Sequence, residues 1–246
     1  MSPGLLRAFF ITNPLIIAMT AVLGPLVLAV SLFFDPAGRK QIAIAQVWSR
    51  WVLKLAGVKM HAEGLEKIDR RGSYVFVSNH RSLLDTPAIQ GHIPVQFRFL
   101  AKTSLFRVPL FGIHMKRAGH IAVSRENPRA AMRTMSEAGR TIRERGISVL
   151  LFPEGNRSPA GLRPFKEGAA LIAIKAGVPV VPLCVIGTHE VLPKGSFNIR
   201  PGKVTMRVGD PIPTAHLKAQ DRAWLTQQLH DEVEALLGVT AYTQTK

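Results

Sequence analysis

Cysteine and acidic residues are both scarce in this sequence of 246 residues. Cys184 is the only cysteine, so the chain forms no internal disulfide and offers no cysteine-based zinc finger. Aromatic residues make up 7%, and no basic stretch alternates with aromatics as in proteins that stack single-stranded nucleic acid. Walker and G-x-G-x-x-G loops, a G-x-S-x-G elbow and an H-x-x-x-H metal pair are all missing. These absences argue against nucleotide hydrolysis, dinucleotide binding, elbow-type serine chemistry and zinc chemistry.

Positive charge is present in excess. Lysine and arginine total 32 against 16 aspartate and glutamate, which gives a formal net charge of +16. A surface of this sign attracts polyanions, so anionic lipid headgroups, phosphorylated substrates and nucleic acid all qualify as partners. One interpretation is a nucleic-acid-binding protein tethered to a membrane, although the shortage of stacking aromatics disfavours it.

The N-terminal region contains a long uncharged run. From Ala8 to Phe34 the chain has 27 residues without a charge, and about 20 apolar residues suffice to cross a bilayer. A cleaved signal peptide has a shorter apolar core and a small-residue cleavage site, so we predict a retained membrane segment. Pro14 and the pair Gly24-Pro25 interrupt helical hydrogen bonding. This leaves two alternatives, one kinked span or two short helices that dip into one leaflet.

Residues 41–60 predict a helix with two tryptophans and basic residues, a composition typical of a membrane interface. The alternative is that its apolar stripe packs against the following domain. We expect three regions: the membrane segment with this interfacial helix over residues 1–60, a globular domain over residues 61–238, and a flexible tail over residues 239–246. Because no export leader is apparent, we expect the domain to face the cytoplasm at the inner membrane.

Strand-like and helix-like patterns alternate after residue 60. Strands are predicted over residues 73–78, 97–101, 120–124, 147–152, 178–186 and 204–208, and helices over residues 128–145, 168–176 and 221–237, with a shorter helix opening at Pro87. Pro179 and Pro182 should push their strand towards an edge or an end of the sheet. The alternation predicts an α/β fold, with a mixed, largely parallel sheet flanked by helices and an N-terminal membrane-embedded helical segment. Functional sites of such folds lie in loops beyond the carboxyl ends of strands.

Two polar loops follow predicted strands, and the first runs from Asn79 to Asp85. It contains His80, a side chain suited to accept a proton near neutral pH. Asp85 can fix the imidazole tautomer and stabilise the imidazolium. Residues five apart on a regular helix lie about 140° apart round the axis, so the pair meets only if His80 lies in a turn that Asp85 closes. The alternative is a helix cap at Asp85 and an ordinary turn residue at His80.

The second loop, Pro153 to Ser158, follows a predicted buried strand. Gly155 lets the backbone approach a ligand closely, and Arg157 carries a planar guanidinium that matches phosphate oxygens. This combination indicates a site for a phosphate-bearing substrate at the sheet edge. The alternative is a plain turn with a solvated arginine.

Together the two loops resemble motifs of the glycerolipid acyltransferases, a family that includes 1-acylglycerol-3-phosphate acyltransferases. The family pattern is Asn-His, four residues and Asp, followed later by Phe-Pro-Glu-Gly with an arginine and a serine. This sequence has NHRSLLD and FPEGNRS in those places, and KTSLF, GHIAVSR, FKEGA and VPVVP resemble further family segments in the expected order. The likeness covers roughly residues 60–210.

The resemblance implies an O-acyltransferase that moves a fatty acyl chain from acyl-CoA or acyl carrier protein to the free hydroxyl of lysophosphatidic acid. It implies His80 as general base, Asp85 as the residue that orients it, and neither metal nor cofactor. It further implies a set of substrate-binding residues: Arg125, Glu154, Gly155, Arg157, Lys102 and Asn79. An anionic phospholipid membrane is the expected partner, and nucleic acid is not.

Three alternatives stay open beside this interpretation. The acceptor can be glycerol 3-phosphate or another lyso-lipid, and the membrane-tethered nucleic-acid-binding protein remains a distant alternative. The third is a catalytically dead membrane scaffold, against which the intact His80 and Asp85 argue.

Overall fold

A long apolar helix begins the chain in the computed structural model, which describes residues 3–124, 127–158 and 161–238. The helix consists of α1 (Pro3–Arg7), a π-helical turn (Ala8–Thr12) and α2 (Asn13–Phe34). Pro25 lies inside α2, which continues to Phe34, so the structure shows one helix and not two short ones. Within the described residues it is the one helix long and apolar enough to cross a membrane, by length and composition.

A tight elbow joins α2 to α3 (Arg39–Ala56). The buried carboxylate of Asp35 accepts backbone N–H bonds from the first turn of α3, including one of 2.9 Å from Arg39. Arg117 caps the C-terminal end of α2. Its guanidinium donates to the backbone oxygen of Ser31 and, at 3.3 Å, to that of Leu32. An anion at a helix N-terminus and a cation at a helix C-terminus both complement the helix dipole. These contacts fix the apolar helix against the rest of the molecule.

In the part of the chain that the structure describes, one seven-stranded sheet forms the centre. Its strands are β1 (Val58–Glu63), β2 (Val75–Ser78), β3 (Phe97–Lys102), β4 (Ile121–Val123), β5 (Ser148–Leu151), β6 (Val180–Ile186) and β7 (Gly202–Val208). The order across the sheet is β1-β7-β6-β2-β5-β3-β4, and all neighbours are parallel except β6 and β7. The prediction of a mixed, largely parallel sheet is confirmed.

Helices cover both faces of this sheet. The helices after α3 are α4 (Asp85–His92), α5 (Phe111–Arg117), α6 (Pro128–Arg145), α7 (Gly168–Ala176), α8 (Thr188–Val191) and α9 (Arg222–Leu237). Side chains of α3 and α4 pack with Phe76, Phe97 and Leu150 on one face. Those of α6, α7 and α9 pack with Val75, Val77 and Val149 on the other. The alternation along β2 and β5 therefore builds two apolar layers, as a sheet buried on both faces requires.

The helix predicted over residues 41–60 is wrong at its carboxyl end. It stops at Ala56, because Gly57 adopts a left-handed φ of 76°, a conformation that glycine takes without steric cost. Residues 58–63 then form β1, which pairs with β7 from a distant part of the sequence. The packing alternative is confirmed for α3, since Ile42, Val52 and Leu53 are buried.

The expectation of an edge or end position for residues 178–186 is also wrong, because β6 lies third in the sheet. Val180 exchanges two backbone hydrogen bonds with Ile212 on one side of β6. Since bonding direction alternates along a strand, the nitrogen of Pro182 faces that same side. The pairing between β6 and β7 does not extend to Pro182. On this side the Pro182 carbonyl accepts a hydrogen bond of 2.8 Å from the Gly209 N–H, and no group there requires a donor from Pro182. A missing N–H is tolerated because no neighbour needs it.

The three-region division stays a prediction, and residues 239–246 lie outside the described part of the chain. Two helices that the sequence did not indicate, α5 and α8, are present.

Candidate active site

Three neighbouring strands, β6, β2 and β5, end at the same edge of the sheet, and the loops that follow them meet there. The loop after β2 carries His80 and leads into α4, whose first residue is Asp85. His80 Nδ1 lies 2.9 Å from Asp85 Oδ2, with 18% of the His80 side chain exposed and none of Asp85. The pair therefore meets as the turn arrangement requires, with His80 before the helix and Asp85 at its start.

The Asp85 carboxylate is held by several donors at once. Its Oδ2 also accepts the backbone N–H groups of Arg81 at 2.7 Å and Ser82 at 2.8 Å. Its Oδ1 accepts the hydroxyl of Thr188, which follows β6. A carboxylate with this many donors accepts only, so Nδ1 of His80 carries the proton of that hydrogen bond. In the tautomer that this hydrogen bond selects, the other ring nitrogen, Nε2, is left to accept a proton.

The imidazole is fixed from a second direction by an aromatic ring. Phe152, directly after β5, stacks on His80 with ring centroids 3.9 Å apart and planes 13° apart. A stacked ring restricts rotation of the imidazole and shields one face of it from water. His80 is consequently held both at Nδ1 and across its ring face.

Glu154 ties the loop after β5 to the loop after β2. Its Oε1 accepts the backbone N–H of His80 at 2.7 Å, and its Oε2 accepts that of Arg163 at 3.2 Å. Burial raises the pKa of Glu154, while these two hydrogen bonds act in the opposite direction. A further bond of 2.8 Å joins the Ser158 N–H to the His80 carbonyl. A contact of Glu154 with substrate hydroxyls stays a prediction.

The structure places most of the other predicted binding residues near this edge. Gly155 has a left-handed φ of 80°, and a Cβ there would lie 3.3 Å from Lys166 Nζ. Arg157 is half-buried, and its carbonyl accepts a bond of 3.0 Å from Lys194 Nζ. Lys102 is exposed at the carboxyl end of β3. Arg125 lies outside the described residues.

Asn79 has a scaffolding position. Its fully buried amide donates to the Val185 carbonyl at 3.0 Å and accepts from the Val185 N–H at 2.8 Å. These two bonds tie the start of the loop after β2 to the backbone of β6. They use both the donor and the acceptor group of the Asn79 side chain. A direct contact between Asn79 and substrate stays a prediction.

Sequence reasoning missed Thr188, Phe152 and the two lysines, Lys166 and Lys194. Thr188 had a usable signal, because it follows a predicted strand whose parallel neighbours carry the other site residues. Among the described residues, one group of potential metal ligands lies close together, His230, Asp231 and Glu234 on α9, and it includes no residue of this site.

Sequence comparison relates this chain to acyltransferases. Residues 59–186 match the sequence profile of the family described as Acyltransferase. A 1-acyl-sn-glycerol-3-phosphate acyltransferase of Limnanthes alba is 34% identical over 186 residues, which cover 75% of this chain and 63% of the plant protein. The Haemophilus influenzae protein with the same description is 31% identical over 78% of this chain and 80% of its own length. This chain thus spans about three-fifths of the length of the plant relative.

A solved structure has the same fold. The crystal structure of the 1-acyl-sn-glycerophosphate (LPA) acyltransferase PlsC from Thermotoga maritima superposes with a TM-score of 0.77 at 26% identity. The superposition covers 96% of this chain and 98% of that one. With the profile match over more than half of its residues, the chain belongs to the Acyltransferase family.

Proposed function

We propose that this protein transfers a fatty acyl chain from a thioester donor to the free hydroxyl of 1-acylglycerol 3-phosphate, which gives phosphatidic acid. The observation that carries the proposal is the 2.9 Å contact between His80 Nδ1 and the buried Asp85 carboxylate. It leaves a basic nitrogen beside a glycine- and arginine-bearing loop. The names of the relatives support lysophosphatidic acid as the acceptor.

The proposed reaction uses His80 twice. Nε2 takes the proton of the acceptor hydroxyl as its oxygen attacks the thioester carbonyl carbon. The resulting tetrahedral intermediate collapses, the carbon–sulfur bond breaks, and the departing thiolate takes the proton back from the imidazolium. Asp85 stabilises the imidazolium in between and holds its orientation. No covalent acyl-enzyme forms, and no cofactor beyond the thioester, acyl-CoA or acyl carrier protein, takes part.

Cationic groups at the same edge suit the anionic acceptor. Arg157, Lys102 and Arg125 are proposed to bind its phosphate, with Gly155 allowing close approach of the backbone. Lys166, whose ammonium group lies next to Gly155, is a further cation proposed to bind the phosphate. Glu154 and Asn79 are proposed to complete the pocket around the glycerol backbone and its free hydroxyl.

The membrane arrangement is proposed from the contacts of α2. Asn13 donates to the Phe197 carbonyl, Gly24 accepts from His114, and Ser31 accepts from Arg117. From Asn13 to Ser31 the helix rises about 27 Å, close to the roughly 30 Å of a hydrocarbon core. A perpendicular span would therefore immerse these polar partners in lipid, at considerable cost. We favour a helix that lies within one leaflet, along the membrane surface.

The surface that would face lipid is apolar over two segments. One is the outer side of the N-terminal helix, with Phe9, Phe10, Ile11, Leu15, Ile17, Val22, Leu26, Leu32, Phe33 and Phe34 exposed. The other, residues 105–113, exposes Leu105, Val108, Leu110, Phe111 and Ile113. We propose the cytoplasmic face of the inner membrane as the location, because the negative potential of a cytoplasmic leaflet attracts a protein of charge +16.

The decisive assay incubates purified full-length protein with labelled acyl-CoA or acyl carrier protein and a panel of acceptors. The panel contains 1-acylglycerol 3-phosphate, glycerol 3-phosphate and a lysophosphatidylcholine, and the lipid product is identified. We expect phosphatidic acid, and a turnover at least about 10²-fold lower for His80→Ala, the lower bound for loss of a general base. His61→Ala is the matched control, because His61 is 70% exposed on β1 and should leave turnover unchanged. Near-normal turnover by His80→Ala would contradict the mechanism.

A further inference from the structure

A cleft of about 510 Å³ lies away from the candidate active site. Its walls include Ile147, directly before β5, Arg98, the second residue of β3, and the inner side of α6. Phe152 follows the opposite end of β5, and His80 follows the same end of β2, the parallel neighbour of β5. The cleft is therefore separated from the imidazole by about one strand length, roughly 13 Å for four residues.

The floor of the cleft contains a buried arginine. Arg98 is 5% exposed, and the one hydrogen bond of its guanidinium within the described residues goes from Nη2 to the Ala37 carbonyl at 3.2 Å. None of its nitrogens is both sealed from solvent and unbonded, so the remaining N–H donors face the cleft. Burial lowers the pKa of Arg98, although nearby Asp35 opposes that shift. A desolvated guanidinium with one neutral acceptor gains much from an added anion.

Two further arginines line the same cleft. Arg39 begins α3 and Arg145 ends α6, and both are exposed. Within the described ranges, no salt bridge is formed by Arg39, Arg98 or Arg145. Glu137 is the one acidic side chain of the lining, so the three arginines leave an excess of positive charge. Three guanidinium groups around one space form a strong site for phosphate oxygens.

The backbone leaves room for a ligand beside Arg98. Gly119 lines the cleft with a left-handed φ of 75°, and a Cβ there would lie 3.2 Å from Arg98 Nε. A side chain at this position would crowd the guanidinium and narrow the cleft. The glycine thus keeps the buried charge accessible.

The cleft also lies beside the end of the apolar helix. Ala37 and Arg39, both in its lining, follow α2 by a few residues. The last residues of that helix, Phe33 and Phe34, are 76% and 68% exposed. An anionic group at the level of lipid headgroups would meet the cleft directly.

We propose that this cleft is a second anion site, which binds a phosphate group through Arg39, Arg98 and Arg145. The site is separate from the acceptor site of the proposed reaction and does not depend on acyl transfer. The phosphate is carried either by a lipid headgroup at the membrane surface or by a soluble metabolite, and its binding would help to fix the protein on an anionic leaflet.

Arginine-specific dicarbonyl labelling, read out peptide by peptide by mass spectrometry, tests the site on the purified full chain without an activity assay. The probes are inorganic phosphate and a short-chain, water-soluble phosphatidic acid below its micelle concentration. At about ten times the dissociation constant, mass action leaves the site empty about one-tenth of the time, so labelling of Arg39 and Arg145 should slow about tenfold. Protection at a much lower concentration of the short-chain lipid identifies a headgroup, and equal protection by both probes identifies a free phosphate.

Arg133 and Arg140 serve as internal controls, because they lie on α6 outside the cleft lining. Their labelling should not change with either probe. Arg98→Met should abolish protection of Arg39 and Arg145. If that buried substitution prevents folding, Arg39→Gln should weaken protection of Arg145, whereas Arg140→Gln should not. Equal slowing of all four arginines, or no slowing of Arg39 and Arg145 by either probe, would overturn the proposal.

Discussion

The carboxylate of Asp85 organises the site at the scale of single residues. It accepts from the His80 ring, from two backbone N–H groups and from the Thr188 hydroxyl. The donors come from the loop after β2 and from the first residue of α8, so the orientation of one imidazole depends on two distant parts of the sequence. Thr188 touches Asp85 and not the imidazole, which makes it a positioning residue.

Thr188→Val tests this role with a nearly isosteric change. Removing one donor to a charged acceptor costs about 1.5–3 kcal/mol in general, and the remaining donors should hold the loss in turnover to about tenfold. We expect kcat to fall while KM for the acceptor stays unchanged, because Thr188 does not line the proposed phosphate pocket. Thr188→Ser, which restores the hydroxyl, should recover kcat. An equal loss in both variants would exclude a role through the hydroxyl.

His120 predicts a pH dependence of stability. Burial, with a smaller effect from Arg98, lowers the pKa of His120 to about 3, and its Nδ1 accepts the Phe99 N–H at 3.0 Å. Between pH 6.5 and 3 the unfolded chain holds a proton there that the folded chain lacks, so stability falls as pH falls. From pH 7 to pH 5 the loss is about 2 kcal/mol for this group.

Urea unfolding at pH 7 and pH 5 measures this contribution. His120→Asn keeps an acceptor for the Phe99 N–H but does not titrate, so its free energy of unfolding should change less between the two pH values. The difference between wild type and variant isolates His120 from the other histidines. Identical pH dependence of both proteins would contradict the assignment.

At the scale of elements, residues 103–117 have a shape that projects apolar side chains. Leu110 is the one non-glycine residue of the described chain with a positive φ, at 60°. It forms the apex of a tight turn, closed by a bond of 2.6 Å from the Phe111 N–H to the Pro109 carbonyl. A positive φ is costly for a bulky residue, yet the Leu110 side chain is 63% exposed. A strained backbone that keeps the Leu110 side chain exposed to the surroundings is consistent with a contact between this side chain and lipid.

Leu110→Asp should weaken binding of the protein to lipid vesicles. Burial of a leucine contributes about 1.5–3 kcal/mol, so the partition coefficient should fall at least about tenfold. Met132→Asp is the control, because Met132 is 47% exposed on α6, on the sheet face opposite α3. Vesicle co-sedimentation compares the two variants. If both lose binding equally, the segment has no special contact with lipid.

At the scale of the whole molecule, charge and apolar surface should act together. The charge of +16 attracts an anionic surface over a Debye length, about 8 Å at physiological salt and 3 Å at 1 M. We expect binding to anionic vesicles to weaken as salt rises and to level off at the value set by the apolar face. Binding to neutral vesicles should not depend on salt. Equal binding to both vesicle types at every salt concentration would exclude an electrostatic contribution.

Much of the architecture was accessible from local patterns. The helix over residues 168–176 has the predicted bounds, and Asn127 and Gly146 begin and end α6 as expected. These features depend on caps, glycines and periodicity within a few residues. Strand β1 was missed because its residues extend an amphipathic pattern, and only pairing with β7 makes them a strand. The position of β6 was predicted wrongly because residues 209–212, which lie beside Pro182, do not need a hydrogen bond from its missing N–H. These residues are distant from β6 in the sequence.

The candidate site divides in the same way. Residue type and order along the chain were enough to predict which residues bear the chemistry, namely His80, Asp85 and the loop from Pro153 to Ser158. Folding of the chain brings Thr188 onto the Asp85 carboxylate, Phe152 onto the imidazole and Glu154 onto the backbone N–H of His80. It also places three arginines from α3, β3 and α6 around one cleft. Parallel strands that are distant in sequence end side by side, so contacts across them arise from strand order and packing, which local spacing does not encode.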